Sequence, residues 1–370
     1  MGKKKSTLEV MVVSKNYKKF WKNKRVLVTG HTGFKGSWLV FWLNMLGAKV
    51  YGYALMPKYK AYCYEKLNIK KKLKGEKIEN INNYKVLTKF IDKTRPQIIF
   101  HMAAQPLVRE AYKNPIETLN INIIGTANLL QASRNLKSLK CIINITTDKC
   151  YENIERENYS YKEEDKMGGH DIYSSSKGSA ELVISSFRRS FYDDYKNCLI
   201  SSVRAGNVIG GGDWSKDRLI PDIIRSIKLN KSIKIRYPDA IRPWQHVIEP
   251  LDGYMKLAYL SYTTQKSFLA SAWNFGPEKK SCITVRKVLN IFKNYYKDRL
   301  TINMPLKKFN HEAKYLRLDV KKSKKFLNWE PKWSVNKSIK LTIDWYDALF
   351  NSNKNLEKLS VDQINDYTKL

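Results

Sequence analysis

The sequence predicts an α/β protein: a doubly wound parallel sheet followed by a smaller mixed C-terminal lobe that closes over a substrate. Three observations carry this expectation. Short runs rich in β-branched residues recur at Arg25–Thr29 (RVLVT) and at residues 49–53, 98–102 (IIFHM), 141–146 (CIINIT) and 199–204. Helical stretches separate them, and one of these, residues 37–46 (SWLVFWLNML), is apolar on most faces, as a helix buried in a layered protein must be. A glycine-rich turn lies directly between the first strand and that first helix. Alternating strands and helices imply parallel pairing, because a parallel connection needs a crossover long enough to hold a helix. The pattern is that of a Rossmann-type domain.

The regularity declines after about residue 205, which divides the chain. Residues 21–205 are expected to form the dinucleotide-binding domain. Residues 206–350, rich in Arg, Trp and Pro, are expected to form mainly the substrate lobe, with some elements returning to the first domain. Residues 1–20 are basic and show no periodicity, and are expected to be a disordered leader; residues 351–370 are expected to be a tail.

Composition narrows the classes. The 370 residues are 43% hydrophobic, and no apolar run approaches the roughly 20 residues that would span a bilayer. A soluble cytoplasmic protein with no membrane partner is the expectation. Cys63, Cys141, Cys150, Cys198 and Cys282 are scattered without a CxxC pair, so neither a disulfide framework nor a metal site is predicted. The 68 Lys and Arg residues against 34 acidic ones give a net charge of +34. Such an excess raises nucleic-acid binding, but the lysines are spread along the chain and accompany many Asn and Ile residues. A solvated basic surface that favours an anionic small molecule is the reading adopted, with no nucleic-acid partner.

The glycine turn runs Gly30-His31-Thr32-Gly33-Phe34-Lys35-Gly36. Its glycines permit a tight turn, close approach of backbone to a pyrophosphate, and packing of helix on strand. The helix that follows would offer its N-terminal N–H groups to phosphate oxygens. Gly30, Thr32, Gly33, Phe34, Lys35 and Gly36 are therefore candidate cofactor contacts. The second strand ends in Val50-Tyr51-Gly52-Tyr53-Ala54-Leu55-Met56, with no acid to hold an adenosine ribose. Lys35 or Lys58 could meet that ribose with or without a phosphate, so these residues leave NAD and NADP open.

Tyr173 and Lys177 lie four apart and share a helix face. A cation beside a phenol stabilises the phenolate, as does the positive nicotinamide ring, so the tyrosine pKa is expected to fall toward working pH. Tyr173 would then take a proton from a sugar hydroxyl while hydride leaves the same carbon. Thr147, at the end of the strand ending near residue 146, would hydrogen-bond that hydroxyl, and Lys177 could also hold the nicotinamide ribose.

With these residues in place the chain resembles the extended short-chain dehydrogenase/reductase family and, within it, the nucleotide-sugar 4,6-dehydratases, most closely their CDP-glucose branch. The resemblance rests on residues 29–38 (TGHTGFKGSW), 101–109 (HMAAQPLVR), 204–214 (RAGNVIGGGDW) and 241–247 (IRPWQHV), and runs from about residue 20 to about 350. It implies a retained NAD used twice: the sugar is oxidised at C4, water leaves across C5 and C6, and hydride returns to C6. The product would be a 4-keto-6-deoxy sugar still attached to CDP, a precursor for deoxysugars of surface polysaccharide. By motif position the resemblance also puts Ala103, Ala104, Gln105 and Asn122 beside the cofactor and sheet, Asn122 with a purely structural role as its alternative. Asn80 departs from the pattern, since many relatives carry aspartate near the adenine. A homodimer formed through helices that include the tyrosine helix is implied as well.

The stretch Thr147-Asp148-Lys149 would perform the elimination. The C4 ketone acidifies the C5 proton through its enolate, so water loss needs a base at C5 and an acid at the C6 hydroxyl. Asp148 is the natural acid if burial keeps it protonated against nearby cations. The commoner dehydratases carry glutamate where Lys149 stands. Lys149 can be the C5 base only when neutral; the competing reading is that it positions Asp148 or a water. Arg109, Asn207, Arg218, Arg236 and Arg242 are the candidate substrate contacts, because guanidinium matches phosphate oxygens in a bidentate fork. Trp214 and Trp244 would pack on the base or fill core, and Asp213 and His246 would support other residues. A sugar-nucleotide 4-epimerase shares Tyr173, Lys177 and Thr147 but has no use for Asp148; a non-catalytic nucleotide or nucleic-acid binder has no use for any of the four.

Overall fold

The computed structural model describes residues 17–57, 60, 62–192, 198–304, 313–350 and 354–369. Lys58 and most of the expected leader lie outside the described residues. Among them the main sheet has seven strands in the order β10-β6-β5-β4-β1-β2-β3. These are β1 Arg25–Thr29, β2 Lys49–Ala54, β3 Gly75–Ile78, β4 Ile98–His101, β5 Cys141–Ile145, β6 Leu199–Ala205 and β10 Ala272–Phe275. Every pairing is parallel. The five strands read from sequence are all present. β3 was not read because GEKI has two charged residues and no apolar run; as the edge strand it is only half covered.

Alternation along the strands builds two cores, one on each face. Val26 and Val28 of β1, with Ile98 and Phe100 of β4, face helix α1 (Phe34–Met45) and the large core. Leu27, Ile99, Ile142 and Ile200 face the opposite way, against helices Tyr84–Thr94 and Gly125–Ser133 and against α2 (Ile172–Phe187). In α1 the eight residues from Gly36 to Leu43 are all buried, which is why its sequence shows no polar face.

The later chain both returns to this sheet and builds a second lobe. β10 adds a seventh strand beside β6, and helix α4 (Ile248–Thr264) packs on β5 and β6. The lobe itself has a three-stranded sheet, β11-β9-β7, formed by Asn207–Ile209 (β7), Ile241–His246 (β9) and Cys282–Thr284 (β11), and a two-stranded one of Ile233–Lys234 (β8) with Ile302–Asn303 (β12). Helix α3 (Leu219–Lys228) buries its isoleucines between these pieces. Gly211 joins lobe to sheet: its carbonyl accepts from Trp38 Nε1 at 2.9 Å, and a Cβ there would lie 2.0 Å from the Trp345 ring. No larger residue fits between those two indoles.

Both chain ends differ from expectation. Residues 17–21 are helical, with Trp21 fully buried and Tyr17 and Phe20 packed edge-on against Tyr259. Residues 356–368 form helix α6 (Leu356–Thr368), where a tail was expected. It follows α5 (Val335–Phe350), docks through a Trp345 Nε1–Ser360 Oγ hydrogen bond of 3.1 Å, and buries Tyr367 against Trp333. The aromatic anchors that hold these ends carry no periodicity that a local reading could detect.

Candidate functional site

A cleft of about 1310 Å³ opens between the sheet and the second lobe, at the C-terminal ends of β1, β4 and β5. This is where strand order reverses, with β2 on one side of β1 and β4 on the other, the place at which α/β sheets bind ligands. Gly30 ends β1 in the left-handed region at φ 72°, and its N–H donates to the Tyr53 carbonyl at 2.8 Å. A Cβ on Gly30 would lie 2.8 Å from the backbone of Met102 and Ala103, so only glycine allows the β1 turn to meet the loop after β4. Thr29 Oγ1 fastens that meeting by accepting from the Met102 and Ala103 N–H groups, each at 3.1 Å.

The turn fits a dinucleotide. Gly33 is the N-cap of α1, and no side chain caps the helix, which leaves its first N–H groups facing the cleft. Gly30, Thr32, Gly33, Phe34, Lys35 and Gly36 all line the cleft, as do Ala103, Ala104 and Gln105. Thr32 Oγ1 donates to the Leu55 carbonyl at 2.6 Å, tying the turn to the end of β2. Glu79 and Asn80, after β3, complete that wall. The acid that β2 lacks is thus present one strand further out, hidden from the sequence reading with β3 itself.

Asn122 does not line the cleft and is corrected to a brace. It is buried at 1% exposure in a π-helical turn, Asn120–Ile124. Its amide donates to the Gln105 carbonyl at 3.1 Å and to Ser176 Oγ at 2.9 Å, and its Oδ1 accepts from the Gln105 N–H at 2.9 Å. Both ends of the side chain are therefore spent on joining the cofactor loop to α2.

Thr147, Asp148, Lys149, Tyr173 and Lys177 meet on the cleft floor. Asp171 caps α2, accepting from the Ser174 N–H at 3.0 Å and from Ser174 Oγ at 2.6 Å, and so presents Tyr173 and Lys177 one turn apart. This cap was missed, although an aspartate three residues before a serine at a helix start was legible. Lys177 Nζ donates to the Ile145 carbonyl at 3.4 Å; burial pulls its pKa down to about 8, against the pull of Glu181. Tyr173 reverses expectation: burial pushes its phenol up to about 12, and the cation that most offsets this is Arg218, with Thr147 next.

Asp148 is 2% exposed. Thr147 Oγ1 donates to its Oδ1 at 3.0 Å, while Oδ2 has no hydrogen-bond partner among the described residues. Burial raises its pKa and prevails over the opposing pull of Lys149, Thr147, Arg242 and Lys35. That is the balance a carboxylic acid needs if it is to hold a proton for a leaving group. Lys149 is only half-buried, on the 3-10 turn Asp148–Cys150, so the burial expected of it is incomplete. Lys35 retains some open surface, but its amine sits deep in the cleft, where desolvation, with Arg218 and Lys177 nearby, lowers its pKa to about 7.

Arg109, Asn207, Arg218, Arg236 and Arg242 all line the cleft, Arg109 from a helix packed on α2 and the others from the second lobe. Arg242 is buried and donates to the Ile241 carbonyl at 2.9 Å; Arg218 reaches the Pro106 carbonyl at 3.3 Å; exposed Arg109 is ion-paired with Asp217. Trp244 reaches the cleft from a buried position, its Nε1 donating to the Ile283 carbonyl at 3.1 Å. Trp214 is not part of the cleft wall and packs against Tyr62, Tyr346 and Phe350. Asp213 accepts from Ser215, and His246 is buried beside Trp38 and Trp333.

Known proteins share this architecture. A family model described as GDP-mannose 4,6 dehydratase matches residues 27–342. The chain is 44% identical over 335 residues to a CDP-glucose 4,6-dehydratase of Salmonella typhimurium, covering 90% of this chain and 92% of that protein. Among solved structures, UDP-glucuronic acid 4-epimerase from Bacillus cereus, in complex with UDP-glucuronic acid and NAD, superposes with a TM-score of 0.75 at 21% identity, covering 88% of this chain and 99% of that one. The dTDP-glucose 4,6-dehydratase of Bacillus anthracis in complex with NAD gives 0.72 at 19% identity, covering 91% and 99%. The match over most of the chain, together with the glycine turn and the Thr147, Tyr173 and Lys177 constellation that the fold assembles, means that the protein belongs to the GDP-mannose 4,6 dehydratase family.

Proposed function

We propose that the protein is an NAD-dependent CDP-glucose 4,6-dehydratase that converts CDP-glucose to CDP-4-dehydro-6-deoxyglucose. The observation that carries this reading is Asp148: a carboxyl buried on the cleft floor, raised in pKa, with one oxygen unpartnered. An epimerase needs no such acid. CDP as the carrier is supported by the 44% identity to a CDP-glucose 4,6-dehydratase.

NAD, held by the glycine turn, residues 103–105 and Lys177, would supply the acceptor for the C4 hydride and its donor for the return to C6. The side chains do the rest. Thr147 hydrogen-bonds the C4 hydroxyl while Tyr173 takes its proton, which requires the phenol to fall from about 12, a value that already includes the pull of Arg218, under the added positive charge of the nicotinamide ring. Asp148 gives its proton to the departing C6 hydroxyl. Lys149, with its amine neutral, takes the C5 proton; in the competing reading it only positions Asp148 or a water, and that water receives the proton. Arg218, Arg236 and Arg242 bind the diphosphate and ribose, and Asn207 and Arg109 the hexose side. The test is mass spectrometry of the protein incubated with CDP-glucose, UDP-glucose, dTDP-glucose and GDP-mannose. A product lighter by one water from CDP-glucose is expected; a new isomer of unchanged mass would establish epimerisation instead.

The enzyme is further proposed to act as a homodimer in the cytoplasm. Among the described residues, no helix is long and apolar enough to cross a membrane. Tyr112, Ile116, Ile124 and Leu182 stand 47%, 67%, 50% and 61% exposed on α2 and the helical segments packed against it, an apolar face suited to a second copy. Light scattering should give twice the 43.3 kDa chain mass.

A further inference from the structure

Behind the cleft floor lies a buried ion pair to which the proposed mechanism assigns no step. Glu181 follows Lys177 by four residues on α2, so Tyr173, Lys177 and Glu181 run down one face of the helix; each is less than one-tenth exposed. The Glu181 carboxylate accepts four hydrogen bonds. Oε1 receives Thr146 Oγ1 and Arg204 Nε, the latter at 2.9 Å; Oε2 receives Ser202 Oγ at 2.6 Å and an Arg204 terminal nitrogen at 2.9 Å. The other terminal nitrogen of Arg204 donates to Tyr151 Oη at 2.7 Å, and Tyr151 Oη donates in turn to Asn274 Oδ1 at 2.7 Å.

We propose that Glu181 and Arg204 are a positioning pair for the reaction: they clamp both ends of the Thr147–Cys150 turn and keep the Lys177 amine charged. Thr146 and Tyr151 flank that turn directly, and each is held by one member of the pair. A displacement of either would move Thr147 and Asp148 relative to Tyr173, and misplacement on the ångström scale is costly at a reacting centre. The electrostatic half follows from burial. Lys177 is desolvated, which favours the neutral amine; Glu181, held ionised by Arg204, opposes this. Among the described residues, the other ionisable groups near Lys177 are the Tyr173 phenol, the Cys150 thiol, the neutral His101 ring and Lys35, and none of these is an ordinary anion near neutral pH. Glu181 is, among the described residues, the buried carboxylate that favours the charged form of the Lys177 amine.

The clamp rests on the roles assigned to Tyr173 and Lys177, but its electrostatic half can be read without substrate. The titration of Lys177 is followed by NMR in protein labelled with carbon-13 lysine, the signal being assigned with Lys177→Met. In Glu181→Gln, which keeps the side-chain shape and removes the charge, the Lys177 midpoint is expected to fall by about one pH unit or more. An unmoved midpoint in the folded variant overturns the proposal. This holds whether or not CDP-glucose is turned over, so failure of the substrate assignment is seen separately. If Glu181→Gln does not fold, Thr146→Val removes one strut and leaves the ion pair: a kcat about tenfold lower with unchanged KM and pH limbs is expected, and a wild-type kcat overturns the clamp.

Discussion

The two walls of the cleft are built differently. On the sheet side, Thr147, Asp148, Tyr173 and Lys177 are 8%, 2%, 7% and 6% exposed, and each sits at a strand end or on a capped helix. On the lobe side, Asn207, Arg218 and Arg236 are half-buried, carried by short strands and loops. Proton and hydride transfer tolerate little displacement, so their groups stand on rigid elements with little freedom; phosphate and ribose recognition tolerates adjustment.

If this contrast is right, changes on the sheet side should be the most damaging. Gly30→Val places a side chain where even a Cβ would come within 2.8 Å of the Met102 and Ala103 backbone, and the purified protein is expected to carry no NAD when its released nucleotide is measured. Asp148→Asn keeps the shape but cannot give up a proton. Water loss should drop by about 10³-fold while sugar-dependent reduction of NAD persists in single turnover. Loss of both activities together would mean that Asp148 serves binding rather than elimination. On the lobe side, Arg236→Ala should raise KM by about tenfold and alter kcat little, because a half-exposed contact contributes mainly uniform binding.

Below the cleft, where α4 meets the chain before α5, Glu249 tests the joint itself. It is fully buried and accepts from the Lys332 and Trp333 N–H groups at 2.8 and 3.0 Å, yet burial pushes its pKa up to about 7. The raised folded-state pKa means that the protonated acid is favoured on folding. Its contribution is complete below the ordinary carboxylate pKa and is lost as pH rises through about 7. Melting temperatures measured at pH values on either side of 7 should differ less in Glu249→Gln than in the wild type. The smallest effect is expected at Arg109→Ala, which breaks an exposed ion pair with Asp217 and should cost no more than about 1 kcal/mol in chemical denaturation.

Much of the architecture was legible because it is encoded locally. The five runs read as strands are strands, and the glycine turn sits where β1 meets α1. What escaped was what remote residues impose. GEKI became β3 only because β2 offers it a free edge, and residues 356–368 became α6 only because Trp333 and Trp345 give them a surface to cover. In the site, the residue types were readable and their states were not. Asn122, expected beside the cofactor, instead braces the Gln105 backbone against Ser176; Glu181, to which the sequence assigns no role, is buried against Arg204.

The sequence by itself determined the alternation of strand and helix, the glycine turn between the first strand and the first helix, and which residue types follow the fifth strand and share the tyrosine helix, since these depend on neighbours within a few residues. Only the tertiary structure decided that burial raises the Asp148 pKa against the cations around it, that Tyr173 answers to Arg218, and that Lys149 stays half-open to the cleft. Protonation follows from desolvation and from charges brought close by folding, and for Asp148 those charges come from residues as distant along the chain as Lys35 and Arg242.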